Sequence, residues 1–373
     1  MSVLNFIGKI LQPAVRPRLE EYINHGSCSG PVVVELDPTT SCNFQCPECI
    51  NKPLINKGEI STARIRGLIA EFARCGVKGV IFIGGGEPLN HPGMSKLIPL
   101  CKDYNISVGL TTNGLLINRC KDEISEHVSW TRISVDAASQ ETFSIFRPSN
   151  VSNSFLKVIK NINELTEASK GIVGYSFLVI EREDIGGLLT NAHDLFRAAC
   201  LAREIGCDYF EYKLMVDGNH SLVPLSPYTR SVLKEQIDMM DGLNSKSFSV
   251  ISNWSAQYLL DNPSQSQPKD YTFCPAMEFR TLVTPSGIYP CPYKRGSDNF
   301  RLGSADEEFD KYWKSTDMGV AKAKVNPSRD CKFYCIRHEL NLLLLSMLKK
   351  QDIAELELSE NTGNERVTDD VFI

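Results

Sequence analysis

Three cysteines near the start of the chain lie close enough together to bind metal. Cys42, Cys46 and Cys49 occur in the stretch TSCNFQCPECI. Three thiolates on one short loop can hold three irons of a four-iron, four-sulfur cluster, which leaves the fourth iron open for a small ligand. The alternative is a zinc site completed by a distant histidine. The spacing favours a cluster with an open coordination position over that zinc site.

A glycine-rich turn follows about forty residues later. Gly84, Gly85 and Gly86 precede Glu87 and Pro88, directly after a run that reads as a strand. Glycines without side chains let a ligand lie against the main chain, and Glu87 adds a charge. Because the carboxyl ends of parallel strands share one edge, this turn is expected on the same face as the cysteine loop.

These two motifs together resemble those of the radical S-adenosylmethionine (SAM) enzymes, over roughly residues 32–216. The resemblance implies a [4Fe–4S] cluster held by Cys42, Cys46 and Cys49, whose open iron binds the amino and carboxylate groups of SAM. It also implies that four residues contact the methionine amino group: Gly84, Gly85, Gly86 and Glu87. The low-potential cluster would pass one electron to SAM, and the resulting 5′-deoxyadenosyl radical would remove a substrate hydrogen. An electron donor such as flavodoxin or ferredoxin is an implied partner.

Further motifs at the strand ends match those of such enzymes. Thr112, Asn113, Ser134 and Asp136 are candidates to line the SAM or substrate pocket, and Arg147 is a candidate to reach the SAM carboxylate. The alternatives are an ordinary strand-to-helix turn for the Asn-Gly stretch and a surface position for the arginine.

One position departs from the family pattern. Relatives usually carry an aromatic residue directly before the third cysteine, where it packs on adenine, and this chain has Glu48 there. Phe44 is a possible substitute.

A second set of cysteines lies towards the other end of the chain, at Cys274, Cys291, Cys331 and Cys335. A β-hairpin formed by residues 279–283 and 287–289 would bring the first two together. Four thiolates can hold zinc or a [4Fe–4S] cluster. Because the upstream motifs occur in the same chain, this segment resembles the twitch module, a shortened SPASM domain with one auxiliary [4Fe–4S] cluster. The remaining six cysteines of the thirteen receive no role.

Six β-rich runs alternate with helix-period segments between residues 32 and 216, which predicts a parallel α/β sheet. The runs are 32–36, 79–83, 106–112, 130–136, 173–180 and 209–215, and the last predicted helix between them is 185–205. The pattern alone leaves an open barrel and a doubly wound sheet as alternatives. The resemblance implies a partial (β/α)6 TIM-like barrel followed by a small α+β cysteine-rich domain. On the sixth strand Glu211 and Lys213 share one face and could act as acid or base.

The predicted organisation has five parts. These are an N-terminal helical extension (1–31), the radical SAM core (32–216), a bridging region (217–270), the twitch or SPASM-like domain (271–350) and an acidic, disordered tail (351–373).

Composition and charge exclude several classes of protein. The chain of 373 residues is 42% apolar, its net charge is −5, and the acidic tail accounts for most of that charge. No basic face for nucleic acid is indicated, and no run long enough to span a membrane occurs. Without a signal peptide, the cysteine-rich chain is expected in the cytoplasm.

The predicted function is oxidation of a small polar metabolite such as a sugar or an aminocyclitol. In this hypothesis the auxiliary cluster accepts the electron left on the substrate. A peptide-modifying maturase and a redox-neutral epimerase or dehydratase are alternatives. The maturase is less favoured, because only about 31 residues precede the first strand. A non-catalytic scaffold would require the glycine motif to be accidental.

Overall fold

The computed structural model describes residues 6–217, 221, 223–252, 269–333, 335–350 and 371–372. A nine-stranded sheet runs through it, in the order β11-β10-β1-β2-β3-β4-β5-β8-β9, with β6 and β7 as a separate hairpin. The strands are β1 (Val33–Leu36), β2 (Gly79–Phe82), β3 (Ser107–Thr112), β4 (Val128–Ser134), β5 (Ile172–Val179), β6 (Glu181–Asp184), β7 (Gly187–Thr190), β8 (Tyr209–Leu214), β9 (Ser249–Ser252), β10 (Arg280–Thr284) and β11 (Gly287–Tyr289).

The helices lie mainly on the outside of this sheet. They are α1 (Phe6–Ile10), α2 (Arg16–His25), α3 (Thr62–Arg74), α4 (Met94–Asp103), α5 (Lys121–His127), α6 (Gln140–Phe146), α7 (Ser154–Ala168), α8 (Leu195–Glu204), α9 (Pro227–Met240), α10 (Ala276–Phe279), α11 (Phe309–Trp313), α12 (Thr316–Ala323), α13 (Pro327–Asp330) and α14 (Arg337–Lys350).

The six strands predicted from the sequence are confirmed as β1, β2, β3, β4, β5 and β8. Each pairs in parallel with the next, and parallel neighbours need crossover connections, which the helices supply. The fold is the expected partial (β/α)6 barrel.

Side chains alternate between the two faces of each strand. On β4, Thr131 and Ile133 are buried towards the helices, whereas Trp130, Arg132 and Ser134 face the inside of the barrel. The outer face is therefore an apolar core, and the inner face carries charged groups. This division explains why the strands read as only partly hydrophobic.

The sheet continues beyond the predicted six strands at both edges. Strand β10 pairs in parallel with β1, and β11 pairs with β10 in antiparallel fashion, so the predicted C-terminal hairpin forms. It extends the barrel sheet instead of building a sheet of its own. At the other edge β9, from the bridging region, pairs with β8.

The helix predicted at residues 185–205 is wrong in its first half. Residues 181–190 form the β6–β7 hairpin, and helix α8 begins only at Leu195. Gly187 at the turn has a φ of 110°, which glycine adopts without strain. Two adjacent glycines therefore end any helix at this point.

The N-terminal helices and the chain end meet at the amino ends of the strands. Ile10, Leu19 and Phe279 are fully buried there, and Lys9 donates to the Phe372 carbonyl at 3.1 Å. Val371 and Phe372 are also buried, while the rest of the predicted acidic tail lies outside the described residues. Among the helices that the model describes, none has the length and apolar character needed to cross a membrane.

Candidate active site

The inside of the barrel is one large cavity of about 950 Å³, here called the central cavity. Every site residue predicted above lies in the described part of the chain, and of these Gly85 alone does not line the central cavity. The wall residues with predicted roles are Cys42, Cys46, Cys49, Gly84, Gly86, Glu87, Thr112, Asn113, Ser134, Asp136, Arg147, Glu211, Lys213, Cys274, Cys291, Cys331 and Cys335. The two cysteine sets therefore line the same cavity.

The loop that carries the first three cysteines is held closed by Thr40. Its hydroxyl accepts hydrogen bonds from the backbone N–H groups of Lys57 and Gly58 at 2.8 Å each, and it donates to the Gly58 carbonyl at 3.0 Å. The start and the end of the loop are thereby tied together. Its cysteines project into the cavity from a fixed base.

The three loop thiols lie close to one another and to a positive charge. Burial raises the pKa of Cys46 to about 11, whereas the nearby Arg147 lowers it. The pKa of Cys42 is also raised, mainly by burial and with Glu87 and Cys49 contributing. Binding metal would release protons from such thiols.

The donor chemistry can be compared with what iron and zinc require. Within the described parts of the chain, no three cysteine, histidine or carboxylate side chains converge so as to hold a single metal ion. In a [4Fe–4S] cluster each thiolate binds a different iron. Three thiols on one short, anchored loop facing one cavity fit that requirement.

The glycine turn packs directly against the cysteine loop. The Gly86 N–H donates to the Thr39 carbonyl at 3.2 Å, and the Glu87 N–H donates to the Ser41 carbonyl at 2.8 Å. A Cβ at Gly86 would lie 2.2 Å from the Ser41 carbonyl oxygen, so no larger residue fits. The absence of a side chain at Gly86 thus allows the glycine turn to pack against the cysteine loop.

Glu87 is buried and fully engaged by the protein. Its carboxylate accepts hydrogen bonds from the Thr112 hydroxyl at 2.6 Å, from the Asn113 N–H at 2.8 Å and from the Leu89 N–H at 3.1 Å. Burial raises its pKa, and these donors oppose the rise. The side chain of Asn113 donates in turn to Asn43 of the cysteine loop at 2.6 Å. Glu87 therefore joins the ends of β2 and β3 to the loop.

Asp136 and Arg147 form a buried ion pair at the end of β4. The Asp136 carboxylate accepts from Arg147 Nε at 2.7 Å and from the Leu178 N–H at 2.7 Å. Asp136 has a φ of 59°, a left-handed conformation that aspartate tolerates. Proximity to Asp136 raises the pKa of Arg147. The guanidinium is thus fixed beside the loop thiols.

Glu48, which departs from the family pattern, has a charged partner. Its carboxylate forms an ion pair with Arg182 of the β6–β7 hairpin, and the Arg182 guanidinium lies 5.1 Å from the centre of the Phe146 ring. Both Glu48 and Phe146 line the central cavity. The second carboxylate oxygen of Glu48 is buried and has no hydrogen-bond partner among the described residues. The hairpin is therefore tied to the cysteine loop.

Two of the four C-terminal cysteines accept hydrogen bonds from neighbouring side chains. The Asn341 side-chain amide donates to Cys274 Sγ at 3.3 Å, and Lys269 Nζ donates to Cys335 Sγ at 3.4 Å. Burial, with a contribution from neighbouring thiols, raises the pKa of Cys274 to about 11 and that of Cys331 to about 12. N–H groups directed at sulfur are typical of iron–sulfur sites.

A buried ion pair that the sequence did not predict connects the two cysteine segments. Arg295, four residues after Cys291, contacts both oxygens of Asp37, at 2.5 and 3.0 Å, and also donates to the Asn51 side chain at 3.1 Å. Asn51 donates to the Gly84 carbonyl at 3.0 Å. Burial raises the pKa of Asp37 to about 6 although Arg295 lowers it. No local motif marks residues whose partners are so distant in sequence.

The middle of the barrel carries two further charge groups. Glu211 contacts Arg132 Nε at 3.0 Å and Lys213 Nζ at 3.3 Å. Glu35 contacts Arg280 Nη2 at 2.5 Å and Arg337 at 3.4 Å. The structure brings the predicted pair Glu211 and Lys213 together. It adds Arg132, which the alternation of β4 with Ser134 could have revealed.

Comparison with known proteins gives a consistent family assignment. Residues 36–189 match the model described as "Radical SAM superfamily". The AdoMet-dependent heme synthase of Methanosarcina barkeri is 29% identical over 147 residues, which are 38% of this chain and 40% of the relative. The GTP 3′,8-cyclase of Chlorobaculum tepidum is 30% identical over 172 residues, 43% of this chain and 51% of the relative. The chain thus spans about half or less of these relatives.

Solved structures show the same fold. SuiB of Streptococcus suis, crystallised with S-adenosylmethionine, superposes with a TM-score of 0.61 over 87% of this chain and 78% of SuiB, at 14% identity. SuiB has also been crystallised with its precursor peptide SuiA, again with a TM-score of 0.61. The parallel sheet and the cysteine loop are consistent with the family match. The chain therefore contains a radical SAM domain over residues 36–189. The cofactors that this superfamily implies are a [4Fe–4S] cluster and SAM.

Proposed function

We propose that this protein is a radical SAM enzyme that oxidises a small polar substrate held in the central cavity. The observation that carries the proposal is the joint placement of the cysteine loop, the glycine turn and a charged barrel interior around one cavity. With both cofactors bound, the site would supply reductive cleavage of SAM to a 5′-deoxyadenosyl radical that removes a substrate hydrogen.

The protein's own part is positioning and the exclusion of water. Cys42, Cys46 and Cys49 are the proposed cluster ligands on a loop closed by Thr40. Gly84 and Gly86 line the wall beside them. Gly85 lies behind that wall, next to Asp37, and supports the turn. An enclosed site protects a reactive radical from side reactions.

Several wall residues are proposed to contact SAM or substrate. Arg147, held by Asp136, would offer its guanidinium to the SAM carboxylate. Thr112, Asn113 and Ser134 lie on the same wall. Glu87 acts mainly through the strand ends that it joins, since its oxygens already accept three hydrogen bonds.

Lys213 and Glu211 are the proposed acid and base. Burial lowers the pKa of Lys213, while Glu211 raises it. The pKa of Glu211 is lowered by Arg132 and Lys213 against the effect of burial. The ionised Glu211 carboxylate could accept the proton that leaves an alcohol during oxidation, and the charged Lys213 could act as the acid.

The four C-terminal cysteines are proposed to hold a second [4Fe–4S] cluster. Two observations support it: N–H donors reach Cys274 and Cys335, and all four side chains line the central cavity. Such a cluster would supply an electron acceptor beside the substrate. Structural zinc is the alternative for four thiolates.

Peptide modification is the second candidate function. It is favoured by the fold shared with SuiB, which has been crystallised with a precursor peptide. In either case the proposed partners are the substrate and an electron donor of the flavodoxin or ferredoxin type.

The iron content and the cleavage of SAM test the proposal. Protein reconstituted without oxygen should bind about eight irons, and Cys331→Ala should lose about four of them. Dithionite and SAM should release 5′-deoxyadenosine, which Cys46→Ala should abolish. Cys200→Ala, on helix α8 outside the cavity wall, should change neither result. Zinc together with only four irons would exclude the second cluster, and wild-type protein that releases no 5′-deoxyadenosine would exclude the function.

A further inference from the structure

The middle of the barrel holds more positive than negative charge. Arg132 on β4 and Lys213 on β8 both contact one carboxylate, that of Glu211. Buried charges are costly unless an opposite charge lies beside them. The single Glu211 carboxylate balances only one of these two cations, so one positive charge is left over. The nearby Glu35 does not balance it, since Arg280 and Arg337 already contact that carboxylate.

Arg132 also presents a donor that the protein does not use. Glu211 Oε2 lies 3.0 Å from Arg132 Nε, but off the direction of the N–H bond, so the buried Nε–H has no acceptor among the described residues. Leaving such a donor unsatisfied is costly. The Thr111 hydroxyl, opposite Arg132 in the β3–β4 register, is likewise buried without a partner.

These groups face the place where a ligand would lie. Thr111, Arg132, Glu211 and Lys213 all line the central cavity. Arg132 and Lys213 each keep 29% of their side-chain surface exposed, which remains accessible to a small molecule. Gly174 stands opposite Arg132 on β5, and the ring of Tyr209 packs over it beside Arg132. Tyr209 therefore forms one side of the cavity wall in front of the two cations.

We infer that the substrate carries an oxyanion group, a carboxylate or a phosphate, which binds between Arg132 and Lys213. Such a group would balance the excess charge and accept the free Nε–H of Arg132, in a charge-assisted hydrogen bond. It could also accept the hydroxyl of Thr111. This inference rests on the proposed function, whose substrate it narrows to anionic metabolites.

Calorimetric titration of the reconstituted protein with two probes tests the inference. Inorganic phosphate and succinate are titrated separately, with saturating SAM present so that the SAM carboxylate cannot account for binding elsewhere on the wall. Wild type should bind at least one probe. Arg132→Met should weaken that binding about tenfold or more, since a charged hydrogen-bond donor is lost. Binding of phosphate alone would indicate a phosphate ester, and binding of succinate alone a carboxylate.

Two further variants separate this effect from general damage. Glu211→Gln removes the competing carboxylate and should tighten binding severalfold, whereas Arg203→Met, an exposed arginine on α8, should leave it unchanged. If Arg132→Met does not fold, the direction of the Glu211→Gln effect decides. Failure of wild type to bind either probe, equal binding by Arg132→Met, or no tightening in Glu211→Gln would each overturn the inference. Release of 5′-deoxyadenosine, measured separately, reports on the proposed function alone.

Discussion

Replacing Arg295 by methionine should destabilise the protein because it leaves the Asp37 carboxylate without its counter-ion. Asp37 is fully buried, and Arg295 contacts both of its oxygens. Removing one partner of a buried ion pair costs about 3–5 kcal/mol. The carboxyl can escape by taking up a proton, which from an ordinary pKa of 3.8 costs about 4 kcal/mol at pH 7. Because burial already raises the wild-type pKa of Asp37 to about 6, wild type carries about 3 kcal/mol of this cost at pH 7, and we expect the variant to lose about 1–2 kcal/mol more.

The loss should shrink as the pH falls. Burial raises the pKa of Asp37 above its value in the unfolded chain. Stability from such a group is fully present below the unfolded pKa and declines as the pH rises through the folded value. In wild type this decline lies between about pH 3.8 and pH 6. Without Arg295 the folded pKa rises further, but at pH 5 the wild-type carboxyl is already mostly protonated, so the loss through this group should nearly vanish.

A second arginine provides a matched control. Arg74 contacts both oxygens of Asp310, at 2.8 and 2.9 Å, and it also joins a barrel helix, α3, to the C-terminal helix α11. It differs from Arg295 in being half exposed. Arg74→Met should therefore change stability little at either pH, because exposed ion pairs are screened by water.

Urea denaturation followed by circular dichroism, at pH 7 and pH 5 without oxygen, measures these differences. Asp37→Asn in the Arg295→Met background should recover part of the loss, since it removes the uncompensated charge. The reasoning would be refuted if Arg295→Met were as stable as Arg74→Met at pH 7. It would equally be refuted if the loss were larger at pH 5 than at pH 7.

Three further predictions concern other contacts. Arg182→Met should speed amide hydrogen exchange in residues 181–190, because the hairpin loses its ion pair with Glu48. Unchanged exchange would mean that this ion pair does not hold the hairpin in place. Asn341→Leu should lower the midpoint potential of the proposed C-terminal cluster in a redox titration followed by electron paramagnetic resonance, because N–H donors to sulfur stabilise the reduced form; an unchanged potential would argue against that donor. Phe372→Ala should cost about 3 kcal/mol in urea denaturation, since the ring is buried against Trp130; a negligible loss would mean that it does not pack there.

The elements that the sequence predicted correctly are those with local signals. The six strands carry β-branched runs, and the cysteine and glycine motifs follow two of them, so fold and loop positions could be inferred together. The alternation of Glu211 and Lys213 also placed both on the inner face of β8. Strand periodicity and strand-end position are properties of a few neighbouring residues, and this is why they can be read from the sequence.

The features that the sequence did not reveal depend on distant partners. Arg295 and Asp37 are separated by 258 residues, and Glu48 and Arg182 by 134. Nothing near Glu48 indicates that a cation will cover it, so its departure from the family pattern had no visible reason. The β6–β7 hairpin was not predicted because its flanking residues also fit a helical period. Gly186 and Gly187 were the only local signal for a turn in this segment.

The pairing of β10 with β1 has a consequence for how the two cysteine sets are placed. Cys42 follows β1 by six residues, and Cys291 follows β11, which is hydrogen-bonded to β10. Backbone hydrogen bonds within one sheet therefore hold Cys291 at a set distance from the cysteine loop, where a linker would leave that distance variable. The Asp37–Arg295 pair lies directly beyond these strands, and through Asn51 it reaches the Gly84 carbonyl. A change in the C-terminal segment should thus also alter the part of the cavity wall that is proposed to bind SAM. Loss of Arg295 is accordingly expected to weaken SAM binding, although Arg295 belongs to neither cysteine motif.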